Sequence, residues 1–377
     1  MIIGVPSEVK NNEFRVGLTP NSVQIIVSEG HSVFIQDDAG SNIGFSNNAY
    51  IDAGAQILKT AAEIYKIAEL IIKVKEPIES EYQFLRNDLT LFTYLHLAGD
   101  LENAKKLIAT GATGIAYETV TSDDGSMPLL APMSAIAGQI SIVVGSYHLL
   151  KHNSGKGVLI GSFGDISPRV VTVIGGGVAG TEAITKAIAN DAFVKVIDLS
   201  QDKLNELEIK FGNKKVEYIL SSPENIQDAI SVSDLVIGAV YVIGKEAPKI
   251  VTFDMLKSMK PGTVMVDISI DQGGCFESSK PTTHDSPTFL VDGVLHYCVT
   301  NMPGAVPLTA TEALNRVTLP YILELANKGI NEALSENIHL KNGLNMQNGK
   351  AIHPAVEELS LIHISEPTRR YAISYAV

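Results

Sequence analysis

The sequence predicts an α/β protein in which parallel sheets are flanked by helices. Three observations carry that prediction. Short apolar, β-branched runs alternate with helical patterns along most of the chain. Polar residues suited to chemistry follow directly after several of those runs, where open α/β sheets bind their ligands. One run also feeds a glycine-rich turn that opens a helix.

That turn organises the chain. Val170, Val171, Val173 and Ile174 lead into Gly175, Gly176 and Gly177, and a helical pattern follows through Ala179, Ala183, Ile184, Ala187 and Ile188. Gly175, Gly177 and Gly180 fit the pattern G-x-G-x-x-G. The first serves the tight turn, the second lets the backbone approach a pyrophosphate, and the third allows close packing of helix on strand. The helix N-terminus offers unpaired N–H groups and a positive dipole end to the phosphates. Asp198 closes the next strand, where a carboxylate accepts hydrogen bonds from a ribose diol and repels a 2′-phosphate. A glycine-rich turn alone is also a hairpin or cap device. Strand, helix, second strand and terminal acid together read as a Rossmann-like unit that favours NAD over NADP.

The N-terminal part alternates in the same way. Residues 1–5 read as a strand, and Thr19-Pro20 reads as a helix start with Val23, Ile26 and Val27 behind it. Gly30 stops that helix, and residues 32–36 alternate like a strand. A helix over 61–68, strands over 70–74, 90–95 and 113–117, and a helix starting near Asp100 complete the series. Lys75, His96 and Glu118 each follow one of these strands, so they should converge at one end of the sheet, and Arg15 could join them.

Turn-forming residues 122–128 begin the expected crossing to a second domain. A long helix over 133–152 and a short strand over 158–160 precede the glycine turn. Beyond Asp198 come a helix over 203–210, a strand over 216–220, a helix over 223–232, and strands over 235–240 and 263–270. The last strand ends in Asp271, followed by Gly273 and Gly274, which are expected to let the backbone approach a ligand. A turn over 301–304 returns the chain to the first domain, where a long helix containing Pro320 and a terminal hairpin or loop over 343–352 follow. The expected organisation is two Rossmann-like domains, 1–130 with 305–358 and 131–304.

Composition narrows the function classes. The chain has 377 residues, 45% of them hydrophobic and 19% charged, which is ordinary for a globular protein of two or three domains. A net charge of −13 and a pI near 5.2, with no basic stripe, argue against nucleic acid as a partner. Cys275 and Cys298 have neither metal-ligand spacing nor a disulfide framework, and read as small buried side chains in a reducing compartment. The N-terminus acquires charge at once and reads as no signal peptide, and no apolar run reaches the roughly 18 residues that span a bilayer. A soluble, cytoplasmic protein is expected. The stretch LSLIHISEPTR resembles the translation of a transposase adapter from sequencing libraries, so residues 359–377 read as a foreign tail.

The segments MIIGVPSEVKNNEFRVGLTP, KVKEP, TYLHLAGD, AYETV, IGGGVAG, DISIDQGGCFE, TTHD and NMPGAVP together resemble the NAD-dependent L-alanine dehydrogenases, over the chain from Met1 to about Glu358. The resemblance implies reversible oxidative deamination of L-alanine to pyruvate and ammonia with NAD, in a homohexamer, and an active site in the interdomain cleft. It implies that Arg15 and Lys75 bind the substrate, that His96 is acid and base, and that Asp271 activates the water that attacks the imine. Imidazoles exchange protons near neutral pH, and a carboxylate close to the carbon suits the water step. For NAD, the positions that match are Ser134, Val178, Ala179, Asp198, Lys203, Ser221, Val240, Tyr241, Ile268, Ser269, Ile270, Asp271, Lys280, Val299, Thr300, Asn301 and Met302. They join the glycine-turn residues Gly175, Gly177 and Gly180. Lys280 stands where a family member has arginine, which keeps the charge and loses the bidentate fork. Glu324 matches a magnesium ligand of the family, but Lys328 replaces its histidine partner, and no metal is assigned.

From the residues alone, His96 also fits a structural histidine, Arg15 and Lys75 solvated charges, and Asp271 a turn cap. Two other functions stand beside the dehydrogenase. One is the NAD-binding component of a proton-translocating transhydrogenase, which resembles this family in the N-terminal segment and glycine turn and would need a membrane partner. The other is a sensor that binds the dinucleotide without turnover.

Overall fold

The computed structural model describes residues 1–99, 101–242 and 246–356. The start of the helix expected at Asp100 and the tail over 359–377 lie outside the described residues. Two compact units emerge, one made of Met1–Leu130 and the chain from Val306 onward, the other of Ala131–Ala305.

The first unit begins with β1 (Ile2–Val5), α1 (Pro20–Ser28), β2 (Ser32–Gln36), α2 (Asn47–Asp52), β3 (Gln56–Leu58), α3 (Ala61–Ile67), β4 (Leu70–Ile72), α4 (Glu79–Tyr82), β5 (Thr90–Thr93), α5 (Leu101–Ala109) and β6 (Thr113–Ala116). The start of α1 forms as its sequence dictates. Thr19 caps it by accepting the Ser22 N–H at 3.1 Å, Pro20 fills the first turn, and Val23 and Ile26 face the core. Strands β4, β5 and β6 are buried along their whole length, as parallel strands covered on both faces must be. The six strands pair in parallel in the order β3-β2-β1-β4-β5-β6.

The second unit opens with α6 (Ala131–His148) and continues through β7 (Val170–Ile174), α7 (Val178–Ala189), β8 (Phe193–Asp198), α8 (Gln201–Phe211), β9 (Val216–Leu220), α9 (Pro223–Val232), β10 (Leu235–Gly238), α10 (Phe253–Leu256), β11 (Val264–Asp267), β12 (Thr288–Val291) and β13 (Val294–Tyr297). Its parallel strands run β9-β8-β7-β10-β11-β13, with β12 antiparallel at the edge. Helix α6 lies close against α7: a Cβ on Gly138 would sit 2.1 Å from the Ala179 carbonyl oxygen. The chain then returns to the first unit as α11 (Pro307–Lys328), α12 (Ile330–Glu336) and α13 (Ile338–Asn342). Strands β14 (Leu344–Gln347) and β15 (Lys350–Ala351) form a terminal hairpin, antiparallel outside β6.

The two sheets therefore share one strand order, the doubly wound dinucleotide-fold order in which neighbours of the central pair are wound in opposite directions. Among the described residues, no helix is long and apolar enough to cross a membrane. Both cysteines are buried and unpaired by disulfide.

Three sequence expectations change. The strand expected over 158–160 joins neither sheet; Gly155, Gly157, Gly161 and Gly164 surround it, and Leu159 is 68% exposed. Four strands read over 70–74, 90–95, 235–240 and 263–270 stop early, at Ile72, Thr93, Gly238 and Asp267. Their apolar runs continue because Val74, Leu95 and Ile270 stay buried after the chain has left the ladder. The hairpin β12–β13 was not expected, although its two-residue turn Asp292-Gly293, with φ of 49° and 79°, is the Asp-Gly signal for such a turn.

Asn315 locks α11 to the entry of α1. Its Oδ1 accepts the Thr19 N–H at 2.9 Å, and its Nδ2 donates to the carbonyls of Gly17 and Thr311 at 3.1 Å each. Asn315→Ala should lower unfolding stability by about 1–3 kcal/mol, because buried partners lose their bonds. Denaturant titration followed by tyrosine fluorescence measures this, and an unchanged midpoint would contradict it.

Candidate active site

Each unit gathers polar groups at the carboxyl ends of its strands. In the first, Arg15 lies beyond β1, Lys75 beyond β4, His96 beyond β5 and Glu118 beyond β6. Arg15 is 2% exposed and is gripped by Glu13, whose oxygens accept its Nε–H at 2.6 Å and its Nη2–H at 2.5 Å. Burial opposes the guanidinium charge, and Glu13 more than restores it, so the Arg15 pKa rises above its usual value.

His96 adopts a left-handed backbone, φ 49°, that is uncommon for a residue with a side chain. Glu118 holds it there: Oε1 accepts the His96 N–H at 2.6 Å, and both oxygens accept the Leu95 N–H at 3.1 and 3.3 Å. The imidazole stacks on the Tyr94 ring, with centroids 5.8 Å apart and planes at 11°. Tyr94 in turn feels Arg15, and donates its hydroxyl to the Leu129 carbonyl at 2.6 Å. Glu76 completes the cluster. Burial pushes its carboxyl up, yet His96, Lys10 and Lys75 together draw its pKa below the ordinary value. Arg15, Lys75 and His96 are thus brought together around Tyr94 and Glu76.

Several residues here were not singled out from the sequence. Lys73, fully buried, pairs with Glu8 at 3.3 Å and Glu81 at 3.0 Å, and Glu81 accepts the Tyr65 hydroxyl at 2.9 Å. Burial pushes the Glu8 pKa up despite Lys73. The other Glu8 oxygen, Oε1, accepts the N–H groups of Val74 at 2.6 Å and Lys75 at 3.4 Å, fixing the backbone that carries Lys75. A signal existed, since Lys73 interrupts the apolar run Leu70, Ile71, Ile72 and Val74, and a lysine there needs buried acidic partners.

In the second unit the glycine turn takes its expected form. Gly175 has φ 102°, and a Cβ on it would lie 2.4 Å from the Ala239 carbonyl. A Cβ on Gly180 would lie 1.8 Å from the Gly175 carbonyl, whereas one on Gly177 would meet nothing within 4 Å. The first turn of α7 has no side-chain cap, so its N–H groups are available to an anion at that open position. Val178 and Tyr241, 49% and 48% exposed, add apolar surface at the starts of the segments after β7 and β10. This cradle suits a dinucleotide.

The remaining candidates mostly follow strand ends too. Asp198 ends β8; its Oδ2 accepts the Gly176 N–H at 2.7 Å and its Oδ1 the Ser200 N–H at 2.8 Å, placing the carboxylate against the glycine turn. Lys203 pairs with Glu206 on α8, and Ser221 follows β9, donating its N–H to the Asp198 carbonyl at 2.9 Å. Ser269 Oγ accepts the Val240 N–H at 3.0 Å and donates to the Val240 carbonyl at 2.7 Å. Val299, Thr300, Asn301 and Met302 follow β13, Asn301 with φ 61°. Two candidates lie off the strand ends: Ser134 on α6, and Lys280, whose ammonium sits 4.4 Å above the Phe289 ring.

Two expectations here are corrected. Asp271 does not end a strand: β11 stops at Asp267, and Asp271 lies exposed on the 3-10 turn Ile268–Gln272. Gly274, expected to admit a ligand, makes room for protein, since a Cβ there would lie 2.7 Å from Asp267 Oδ2. Glu324 is occupied by Lys328 at 3.0 Å and by Asn337 at 2.8 Å.

The strand order and the glycine cradle define a dinucleotide-fold protein with a second doubly wound unit carrying a charged cluster. The Alanine dehydrogenase/PNT N-terminal domain matches residues 4–137, and the Alanine dehydrogenase/PNT C-terminal domain matches residues 141–354. An alanine dehydrogenase of Mycolicibacterium smegmatis is 48% identical over 356 residues, 94% of this chain and 96% of that protein. One of Bacillus subtilis is 48% identical over 357 residues, 94% of each chain. A solved L-alanine dehydrogenase superposes with a TM-score of 0.92 at 46% identity, covering 96% of this chain and 99% of that one. A transhydrogenase from Sinorhizobium meliloti shares the fold, with a TM-score of 0.80 at 23% identity. The chain belongs to the alanine dehydrogenase/PNT family.

The glycines allow a paired test. Gly177→Ala should leave thermal stability nearly unchanged while weakening NADH binding, because its Cβ meets only open space. Gly180→Ala should destabilise by about 1–3 kcal/mol through overpacking. Thermal melts and NADH fluorescence titrations read both, and full NADH affinity in Gly177→Ala would contradict the cradle.

Proposed function

We propose that the chain is an alanine dehydrogenase that interconverts L-alanine with pyruvate and ammonia, using NAD as hydride acceptor. The observation that carries this reading is the cluster of Arg15, Lys75 and His96 at the strand ends of one unit, in a chain whose other unit bears the glycine cradle. Family membership supports an enzyme on the pyridine-nucleotide pattern. Asp198 beside the glycine turn supports NAD over NADP, since its charge opposes a 2′-phosphate.

Arg15 and Lys75 hold the substrate carboxylate and carbonyl region. Glu13 fixes the guanidinium and Glu8 the Lys75 backbone, so little side-chain freedom is lost on binding. His96 takes a proton from the substrate ammonium, which frees the nitrogen lone pair for imine formation. A nicotinamide dinucleotide held at the turn of Gly175, Gly177 and Gly180 would supply the acceptor for the hydride of the substrate carbon. Asp271 then draws a proton from water as the water oxygen attacks the imine carbon, and the resulting carbinolamine releases ammonia as the C–N bond breaks. His96 exchanges the proton that this collapse requires. Ser134, Val178, Ala179, Lys203, Ser221, Val240, Tyr241, Lys280 and Asn301 contribute to the cofactor surface. The enzyme acts as a cytoplasmic homohexamer, with 359–377 a dispensable tail, and no metal is assigned to Glu324, which pairs with Lys328.

Loss of NADH absorbance on adding pyruvate with excess ammonium tests the activity. Steady consumption is expected, and NADH binding without consumption would favour the sensor. His96→Ala should abolish turnover and leave NADH affinity nearly intact; collapse of NADH binding would make His96 structural. Asp198→Ala should narrow the preference for NADH over NADPH, and an unchanged ratio of kcat/KM values would mean that another group reads the ribose.

A further inference from the structure

The turn that carries Asp271 is built on a different carboxylate, one that the reaction scheme above does not use. Asp267 ends β11 and is fully buried. Its Oδ1 accepts the Ser269 N–H at 3.0 Å and lies 3.5 Å from the Cys275 thiol. Its Oδ2 accepts the Cys275 N–H at 2.9 Å and the Ser279 hydroxyl. Every partner is a donor, so the group serves as an ionised acceptor on both oxygens. Burial pushes its pKa above the ordinary carboxylate value, and the bonds from Ser279 and Cys275 offset only part of that rise.

Gly274 is part of the same construction. With φ at +80°, a Cβ on it would lie 2.7 Å from Asp267 Oδ2 and 2.7 Å from Ser279 Cβ. On the outer side, Lys249 Nζ donates to the Gly273 and Gly274 carbonyls. The segment from Ile268 to Ser279 therefore leaves one carboxylate, presents Asp271, and returns to the same carboxylate.

We propose that Asp267 is a positioning residue for the reaction: by tying Ser269, Cys275 and Ser279 to one buried acceptor, it fixes the Ile268–Gln272 turn and thereby Asp271. The inference rests on the role given to Asp271 above. Asp267→Asn keeps the shape but points an amide N–H2 at a donor, so one side of the clamp must open.

The test is a double-mutant cycle on the full-length enzyme, reading kcat for pyruvate amination with NADH affinity and melting temperature as controls. Asp267→Asn should lower kcat by about ten-fold or more, and the same change in an Asp271→Asn background should alter kcat by less than about two-fold, as for residues that act as one unit. Equal fold losses in both backgrounds, or full kcat in folded Asp267→Asn, would overturn the role of Asp267. Should Asp267→Asn fail to fold, Ser279→Ala removes one bond and keeps the backbone ones. Its kcat loss of about two- to five-fold should vanish beside Asp271→Asn, and a loss that persists there would overturn the proposal. Full turnover by Asp271→Asn alone would instead remove the role of Asp271 and this inference with it.

Discussion

The structure depends on one topological constraint: in a parallel sheet wound in both directions, the two central strands send their connections to opposite faces. A crevice must then open outside the carboxyl ends of that pair. In the second unit the pair is β7 and β10, and the glycine turn and Val240-Tyr241 leave from it. The exits are so close that only glycine fits at 175, its missing Cβ facing the Ala239 carbonyl. In the first unit the pair is β1 and β4, and the segments with Arg15 and Lys75 leave from it. One sheet geometry, used twice, places the glycine turn at the crevice of one unit and Arg15 and Lys75 at the crevice of the other.

The first unit carries a cluster of buried ion pairs. Glu8, Glu13, Glu81, Arg15 and Lys73 are all withdrawn from water. Buried ions are costly to desolvate, and they persist here as an alternating network whose members also accept backbone N–H groups. Removing Lys73 would leave Glu8 and Glu81 without the cation they share, and the network holds the Arg15 guanidinium and the Lys75 backbone in one arrangement. At the corresponding strand ends the second unit presents backbone, with glycines and an uncapped helix start where the first has buried cations.

Much of this was legible in the sequence because the dominant signals are local. The glycine turn, the Thr19 cap and the strand-end positions of Arg15, Lys75, His96 and Glu118 each follow from a few adjacent residues. The misreadings arise where tertiary contacts decide. Asp271 reads as the strand-end acid because the apolar run continues to Ile270, whereas Asp267, held by Cys275 and Ser279 from further along the chain, also accepts the Ser269 N–H, and the chain leaves the ladder there. Gly274 was read as room for a ligand, but the room is for Asp267. Glu118 stood out as a candidate for chemistry, and the structure gives it the His96 backbone to hold. Lys73 was passed over for Lys75 because its partners, Glu8 and Glu81, lie in other segments.

The central claim is that the chain carries out amine chemistry at the carbon that exchanges a hydride. The most direct measurement is NMR of the product formed from pyruvate, ¹⁵N-ammonium and NADH deuterated at the transferable C4 position. Alanine that carries both ¹⁵N on its amino group and deuterium on its α-carbon is expected. Lactate labelled with deuterium, or recovery of unreacted pyruvate with the NADH still bound, would contradict it.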